Sequence, residues 1–306
     1  MSENHLIPPA ATRPDILCIG AVLWDIIGRS PAHMRVGSDV PGRISRIPGG
    51  VAMNIAITLA RFGLRPALLS AVGQDPAGNE LVEQAENLRL DCDYLYRSAD
   101  LPTDIYMAVE GGNGLIAAIA DAHSLEAAGA RILTPLSDGR LGEIGALWQG
   151  PIALDGNLTT QLLAHIASDP AFAEADLRLA PASPGKAERL LPLLDHPRAT
   201  LYVNREEAEK LAHQSFESAE AAAIGLIARG AHRVLVTDGG RPAAEASQGI
   251  LRRACPPEVM VTRVTGAGDT FMAAHIAAEL RGAAPEAALE AALAAAAAYV
   301  QGDQPT

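Results

Sequence analysis

Short apolar runs alternate with segments of helical periodicity along most of this chain, and that alternation restricts it to an open sheet of mostly parallel strands. Ile16–Gly20 (ILCIG) reads as a buried strand before a turn. Val51–Phe62 follows as a helix, with Gly63 as its stop, and Ala67–Val72 is the next strand. Asp75–Leu88 is the next helix, opening at Gln74-Asp75-Pro76. The order resumes later with candidate strands at Ile152–Leu154, Leu177–Leu179, Thr200–Val203, Arg233–Thr237 and Val259–Thr262. Helices at Arg205–His213, Ala219–Arg229 and Asp269–Leu280 fill the intervals. The expected fold is α/β: a doubly wound, mostly parallel sheet flanked by helices, in one domain over residues 1–306.

Two segments interrupt this order. Ile105–Val109 and Leu115–Ala120 are apolar runs around Glu110-Gly111-Gly112-Asn113-Gly114, the signature of a hairpin. Arg35–Ile47 is also strand-like. A small β-sheet lid, from residues 35–47 and 103–121, is expected outside the parallel sheet.

Charge excludes several partners. The formal net charge of −12 repels nucleic-acid backbones and anionic membranes. The Ala-rich run Ala287–Val300 is too short to span a bilayer and contains Glu290. Cys18, Cys92 and Cys255 are scattered and odd in number, and the polar Met1–Asp15 stretch lacks an apolar signal core, so a reducing cytoplasm is expected. No histidine shows metal-ligand spacing.

The strongest chemical signal is Val264-Thr265-Gly266-Ala267-Gly268-Asp269, followed by an apolar helical run. Small residues let a ligand approach the backbone, and amides at the new helix's start offer anion donors. Asp269 stands where it accepts a proton from an attacking hydroxyl; the plainer reading is a turn with Asp269 as N-cap. In Pro48-Gly49-Gly50-Val51-Ala52-Met53-Asn54, a glycine pair opens a helix and Asn54 offers donors and an acceptor suited to a polyol. Asp25 follows the first strand, at the edge where open α/β sheets bind ligands, or else caps a turn there.

Gly49–Gly73 and Val264–Ala274 resemble, in order and spacing, the two signature segments of the ribokinase-like (phosphofructokinase-B-type) carbohydrate and nucleoside kinases. The resemblance extends from Ile16 to Val300 and implies ATP and Mg²⁺ as cofactors. It casts Asp269 as catalytic base, with Gly266, Ala267 and Gly268 forming an anion hole. Asn204-Arg205-Glu206-Glu207 matches the family's Asn-x-x-Glu motif, implying that Glu207 serves Mg²⁺ and Asn204 lies near the phosphates. Thr237, Gly239 and Thr265 fall in segments that the family places along the nucleotide. Arg263 and Val264 stand where many members carry Asp-Thr, part of a monovalent-cation site, so K⁺ activation is not expected to carry over.

Within the family, Pro41–Ala56, Thr103–Ala108, Ala117–Asp121 and Asp155–Thr159 most resemble pseudouridine kinases. That implies phosphorylation of the 5′-hydroxyl of pseudouridine. Asp25, Gly49, Gly50 and Asn54 are then expected at the ribose, and Tyr106, Asp121 and Asn157 as further substrate contacts; packing or turn capping explains the last three equally well. Alternatives are another sugar or nucleoside acceptor (ribose, adenosine), or a catalytically silent binder on the same fold. A homodimer through the β lid is the expected assembly.

Overall fold

The computed structural model describes residues 13–143 and 146–303; most of the polar N-terminal stretch read above lies outside them. Strand β1 (Ile16–Ile19) leads to β2 (Leu23–Arg29) and β3 (Arg43–Gly49), then to helix α1 (Val51–Arg61). Next come β4 (Pro66–Leu69), β5 (Ala71–Gly73), α2 (Pro76–Asn87) and β6 (Tyr96–Ser98). The hairpin β7 (Ile105–Gly111) and β8 (Gly114–Asp121) precedes α3 (His123–Ala128). The second half runs β9 (Ile152–Asp155), α4 (Thr160–Ser168), β10 (Leu177–Ala180), β11 (Ala199–Asn204), α5 (Arg205–Ala212) and α6 (Ala219–Ala228). It ends with β12 (Arg233–Asp238), β13 (Arg241–Ser247), β14 (Ile250–Ala254), α7 (Ala267–Leu280) and α8 (Pro285–Gln301).

Eight strands form the main sheet in the order β14-β13-β12-β11-β10-β9-β1-β4. Pairings from β12 to β4 are parallel, while β13 and β14 add an antiparallel edge. Strands β1, β4, β9 and β10 are buried on both faces, as expected for a sheet covered by helices. One core cluster joins Leu17, Leu154 and Leu179 to α4, α5 and α6. The other packs α1, α7 and α8 against the opposite face through Ile55, Leu59, Met272 and Leu289. A buried polar chain ties α7 to the sheet: the Tyr202 hydroxyl lies 2.9 Å from His275 Nδ1 and accepts from Arg178, and Arg178 and Arg233 both pair with Glu279.

The small sheet has the order β3-β2-β7-β8. Strand β2 was not expected; residues 20–25 read as a turn, because its partners lie as far off as Ile105 for Trp24 and pairing over that distance leaves no local mark. It pairs parallel to β7, placing Asp25 opposite Tyr106, and antiparallel to β3. Asp25 is therefore inside a strand, not in a turn after β1. Residues 35–42 hold no strand, so the strand expected over 35–47 begins only at Arg43 and runs to Gly49. The expected strand Val259–Thr262 is absent; that stretch is an irregular segment beyond the unforeseen β13–β14 hairpin. The expected strand Ala67–Val72 is split at Ser70, whose buried hydroxyl donates to the Gly20 carbonyl, so that β5 leaves the main sheet to pair with β6.

Candidate active site

Strand ends, helix starts and the small sheet meet in one cleft of about 1180 Å³. That exceeds the volume usual for a single small ligand and has room for two. Helix α7 begins there. Gly266 is its N-cap, at φ 89°, with no side chain capping the first turn. An added Cβ would stand 2.5 Å from the Tyr299 hydroxyl, so glycine is needed on both counts. Asp269 lies in the third helical position and is not the N-cap. The Ala267 amide is already spent on the Val264 carbonyl at 3.1 Å, which leaves the Gly268 and Asp269 amides as the orphan donors of the first turn. Gly268 itself has open space where a side chain would be.

Asn54, on the first turn of α1, donates Nδ2 to Asp269 Oδ2 at 2.9 Å. Burial raises the Asp269 carboxyl to about 7; the Asn54 hydrogen bond opposes this, and the negative charges of Asp155, Glu207 and Asp25 add to it. Asp25 is raised to about 6 by burial. Its carboxylate lies over Gly49, where a Cβ would come within 2.0 Å of Oδ2. Gly50, at φ 94°, leaves no room beside the Ala21 carbonyl. Both glycines are thus demanded by contact, with Gly49 as the buried floor under Asp25 rather than part of the cleft lining.

A residue with no role assigned from sequence organises this wall. Asp155, fully buried at the end of β9, accepts from the amides of Ala21, Ala52 and Asn157 at 2.8, 3.0 and 2.7 Å. It fixes the turn after β1 and the start of α1 together. A Cβ on Gly20 would overlap its carboxylate. The legible signal was an acid at the carboxyl end of a buried parallel strand.

Tyr106 and Asn157 line the cleft, as do Thr237, Gly239 and Thr265. Asn204 and Glu207 form a capping box at the start of α5: Asn204 Oδ1 accepts from the Glu207 amide and Glu207 Oε2 from the Asn204 amide. Burial raises Glu207 to about 7. Asp121 is not brought to the cleft. Its side chain is exposed at the end of β8 and pairs with His123 Nδ1 at 2.7 Å, which lowers its pKa. Among the described residues no three His, Cys, Asp or Glu side chains form a metal site, and no helix is long and apolar enough to cross a membrane.

A carboxylate poised near neutrality beside free helix-start amides suits proton removal from a hydroxyl next to a developing anion. The pfkB family carbohydrate kinase model matches residues 13–306, and the chain belongs to that family. The class thus defined is a ribokinase-like carbohydrate or nucleoside kinase. The chain is 29% identical over 265 residues to the pseudouridine kinase of Escherichia coli (strain K12), covering 84% of this chain and 81% of that one. A 100-residue stretch is 31% identical to the pseudouridine kinase of Arabidopsis thaliana, covering 33% and 26%. Among solved structures, a carbohydrate kinase from Agrobacterium tumefaciens aligns with a TM-score of 0.78 and 26% identity, covering 95% and 92%. Arabidopsis thaliana ribokinase complexed with ribose and ATP shares the fold at a TM-score of 0.74 and 21% identity, covering 94% and 93%.

Proposed function

We propose that this protein transfers the γ-phosphoryl group of ATP to the 5′-hydroxyl of pseudouridine. The observation that carries the chemistry is the Asn54–Asp269 contact at the uncapped start of α7. The choice of acceptor rests on the 29% identity with the bacterial pseudouridine kinase over most of both chains. Ribose is the second reading, since the family is one of carbohydrate kinases.

In this mechanism Asp269 accepts the hydroxyl proton as the oxygen attacks the γ-phosphorus in line. The Gly268 and Asp269 amides hold the charge that spreads over the phosphoryl oxygens. Asp25 and Asn54 grip the ribose hydroxyls, and Tyr106 reaches the base. The nucleotide lies along Asn204, Thr237, Gly239 and Thr265. Glu207, whose Oε2 accepts from the Asn204 amide and whose Oε1 has no hydrogen bond among the described residues, fits an ion that takes few protein ligands and keeps its waters. Glu207 would hold Mg²⁺, largely through water, with Asn204 beside the phosphates; the ion when bound neutralises phosphate charge. The small sheet closes over the acceptor as a lid. Its outer face exposes Ile44, Met107 and Ile119, which suits pairing with a second copy.

The test is a coupled assay with ATP and Mg²⁺ on pseudouridine, uridine, ribose and adenosine. Pseudouridine should give the highest kcat/KM, by at least about tenfold, the scale expected when polar contacts select one substrate. A preference for ribose would move the acceptor assignment, and transfer to none would leave a silent binding protein.

A further inference from the structure

The cleft is short of positive charge. Asp25, Glu206, Glu207, Asp238, Glu258 and Asp269 line it, against two cationic side chains among the described residues, Lys186 and Arg205. The Arg205 charge is already paired with two carboxylates: Nε donates to Asp238 and Nη1 to Glu209, with the Phe216 carbonyl also on Nη1. Lys186 has no carboxylate within ion-pair distance among the described residues. Its Nζ donates to Asn157 Oδ1 at 2.5 Å, which leaves two N–H groups of the ammonium.

The stretch from Ala180 to Pro184, which leads into the 3-10 helix Pro184–Leu193 that carries Lys186, lines the cleft. Ala182 holds a left-handed conformation at φ 71°, which non-glycine residues seldom adopt and which concentrates at functional sites. Gly156 permits the turn below it to close up, since a Cβ there would lie 2.2 Å from the Pro181 carbonyl oxygen. The Gly156 amide donates to the Ala180 carbonyl, and Asn157 is held by Asp155, so the partner of Lys186 is itself fixed. Burial, and then the nearby Arg189, make the ammonium easier to deprotonate, which is the cost of keeping a cation there without an anion.

We infer that Lys186 is the cation that meets the transferring phosphoryl group. This rests on the kinase reading above and adds a residue to it. The bond from the acceptor oxygen to the γ-phosphorus forms as the bond from that phosphorus to the bridging oxygen breaks. The proton goes to Asp269, ADP leaves with the bridging oxygen and the electron pair, and Lys186 keeps its protons throughout. A compact ammonium with two free donors follows an anion moving between two positions, where a fixed fork would not.

The experiment compares wild type, Lys186→Gln and Lys186→Arg in steady-state transfer from ATP to pseudouridine and to ribose. A parallel calorimetric titration uses ADP with and without aluminium fluoride. Lys186→Gln should lose about 100-fold or more in kcat, the scale of a removed charge stabiliser, while acceptor KM stays within about threefold. Lys186→Arg should recover part of the loss. Aluminium fluoride should tighten ADP binding in wild type and not in Lys186→Gln. Near-normal kcat in Lys186→Gln overturns the inference, as does a change confined to acceptor KM, which would mark a support for Asn157. If Lys186→Gln does not fold, Lys186→Met takes its place under the same criteria. If wild type transfers phosphate to no acceptor, the kinase reading falls and the inference with it; an active wild type beside a near-normal Lys186→Gln overturns the role of Lys186 alone.

Discussion

Asn54 and Asp269, 215 residues apart in sequence, meet at 2.9 Å across the starts of two helices. The amide donates to a carboxylate that burial has raised to about 7, so it stabilises the charged form that works as a base. Activity should therefore fall as pH drops through about 7, because the base is lost to protonation. Asn54→Ala removes the one hydrogen bond that lowers this pKa, so the limb should move to higher pH. Asp269→Asn should bind ligands yet lose at least about 100-fold in kcat. A pH profile of kcat/KM for the three proteins checks all of this.

Gly49→Ala drives a methyl group into the Asp25 carboxylate, which stands 2.0 Å from the position of the added carbon. The strand β3 backbone cannot retreat without breaking its ladder with β2. We expect a loss of about 1–3 kcal/mol in stability, measured by urea unfolding, and a raised acceptor KM because Asp25 is displaced.

Arg263 donates Nε to the Tyr299 carbonyl at 2.7 Å and Nη2 to the Asp303 carbonyl at 2.9 Å, and stacks 3.8 Å above the Tyr299 ring. Its guanidinium thus occupies carbonyls at the end of α8, beside the loop that leads into Gly266. A monovalent cation would be repelled from this spot. Turnover in K⁺ should match turnover in Na⁺, and Arg263→Ala should lower kcat in both by loosening the loop. A cation series in the coupled assay is the measurement.

His275 is fully buried, and burial lowers it to about 3. The unfolded chain takes up a proton below about 6.5 that the folded chain refuses. Stability should fall as pH drops from 6.5 toward 3, with a limiting slope of about 1.4 kcal/mol per pH unit from this group. Glu279, lowered to about 2 chiefly by Arg178 against the opposing cost of burial, contributes stability that is lost as pH falls from about 4.5 toward 2. His275→Gln should flatten the curve between pH 6.5 and 4.5 and leave the lower limb. Urea midpoints across pH provide the check.

What the sequence determined by itself was local. Periodicity marked α1, α2, α5, α6 and α7 to within a residue or two, because an amphipathic helix declares its buried face every three or four positions. The Thr265–Asp269 and Gly49–Asn54 segments declared themselves because close backbone approach admits few residue types there. The tertiary structure decided everything that depends on non-local pairing. It made β2 a strand, by giving Leu23–Arg29 partners at residues 43–49 and 105–110. It took Asp121 out of the cleft and left Asp155 at the centre of three backbone amides. It also set Lys186 on Asn157 among carboxylates drawn from distant parts of the chain. Such contacts are chosen by packing and charge balance in three dimensions, and no spacing along the chain encodes them.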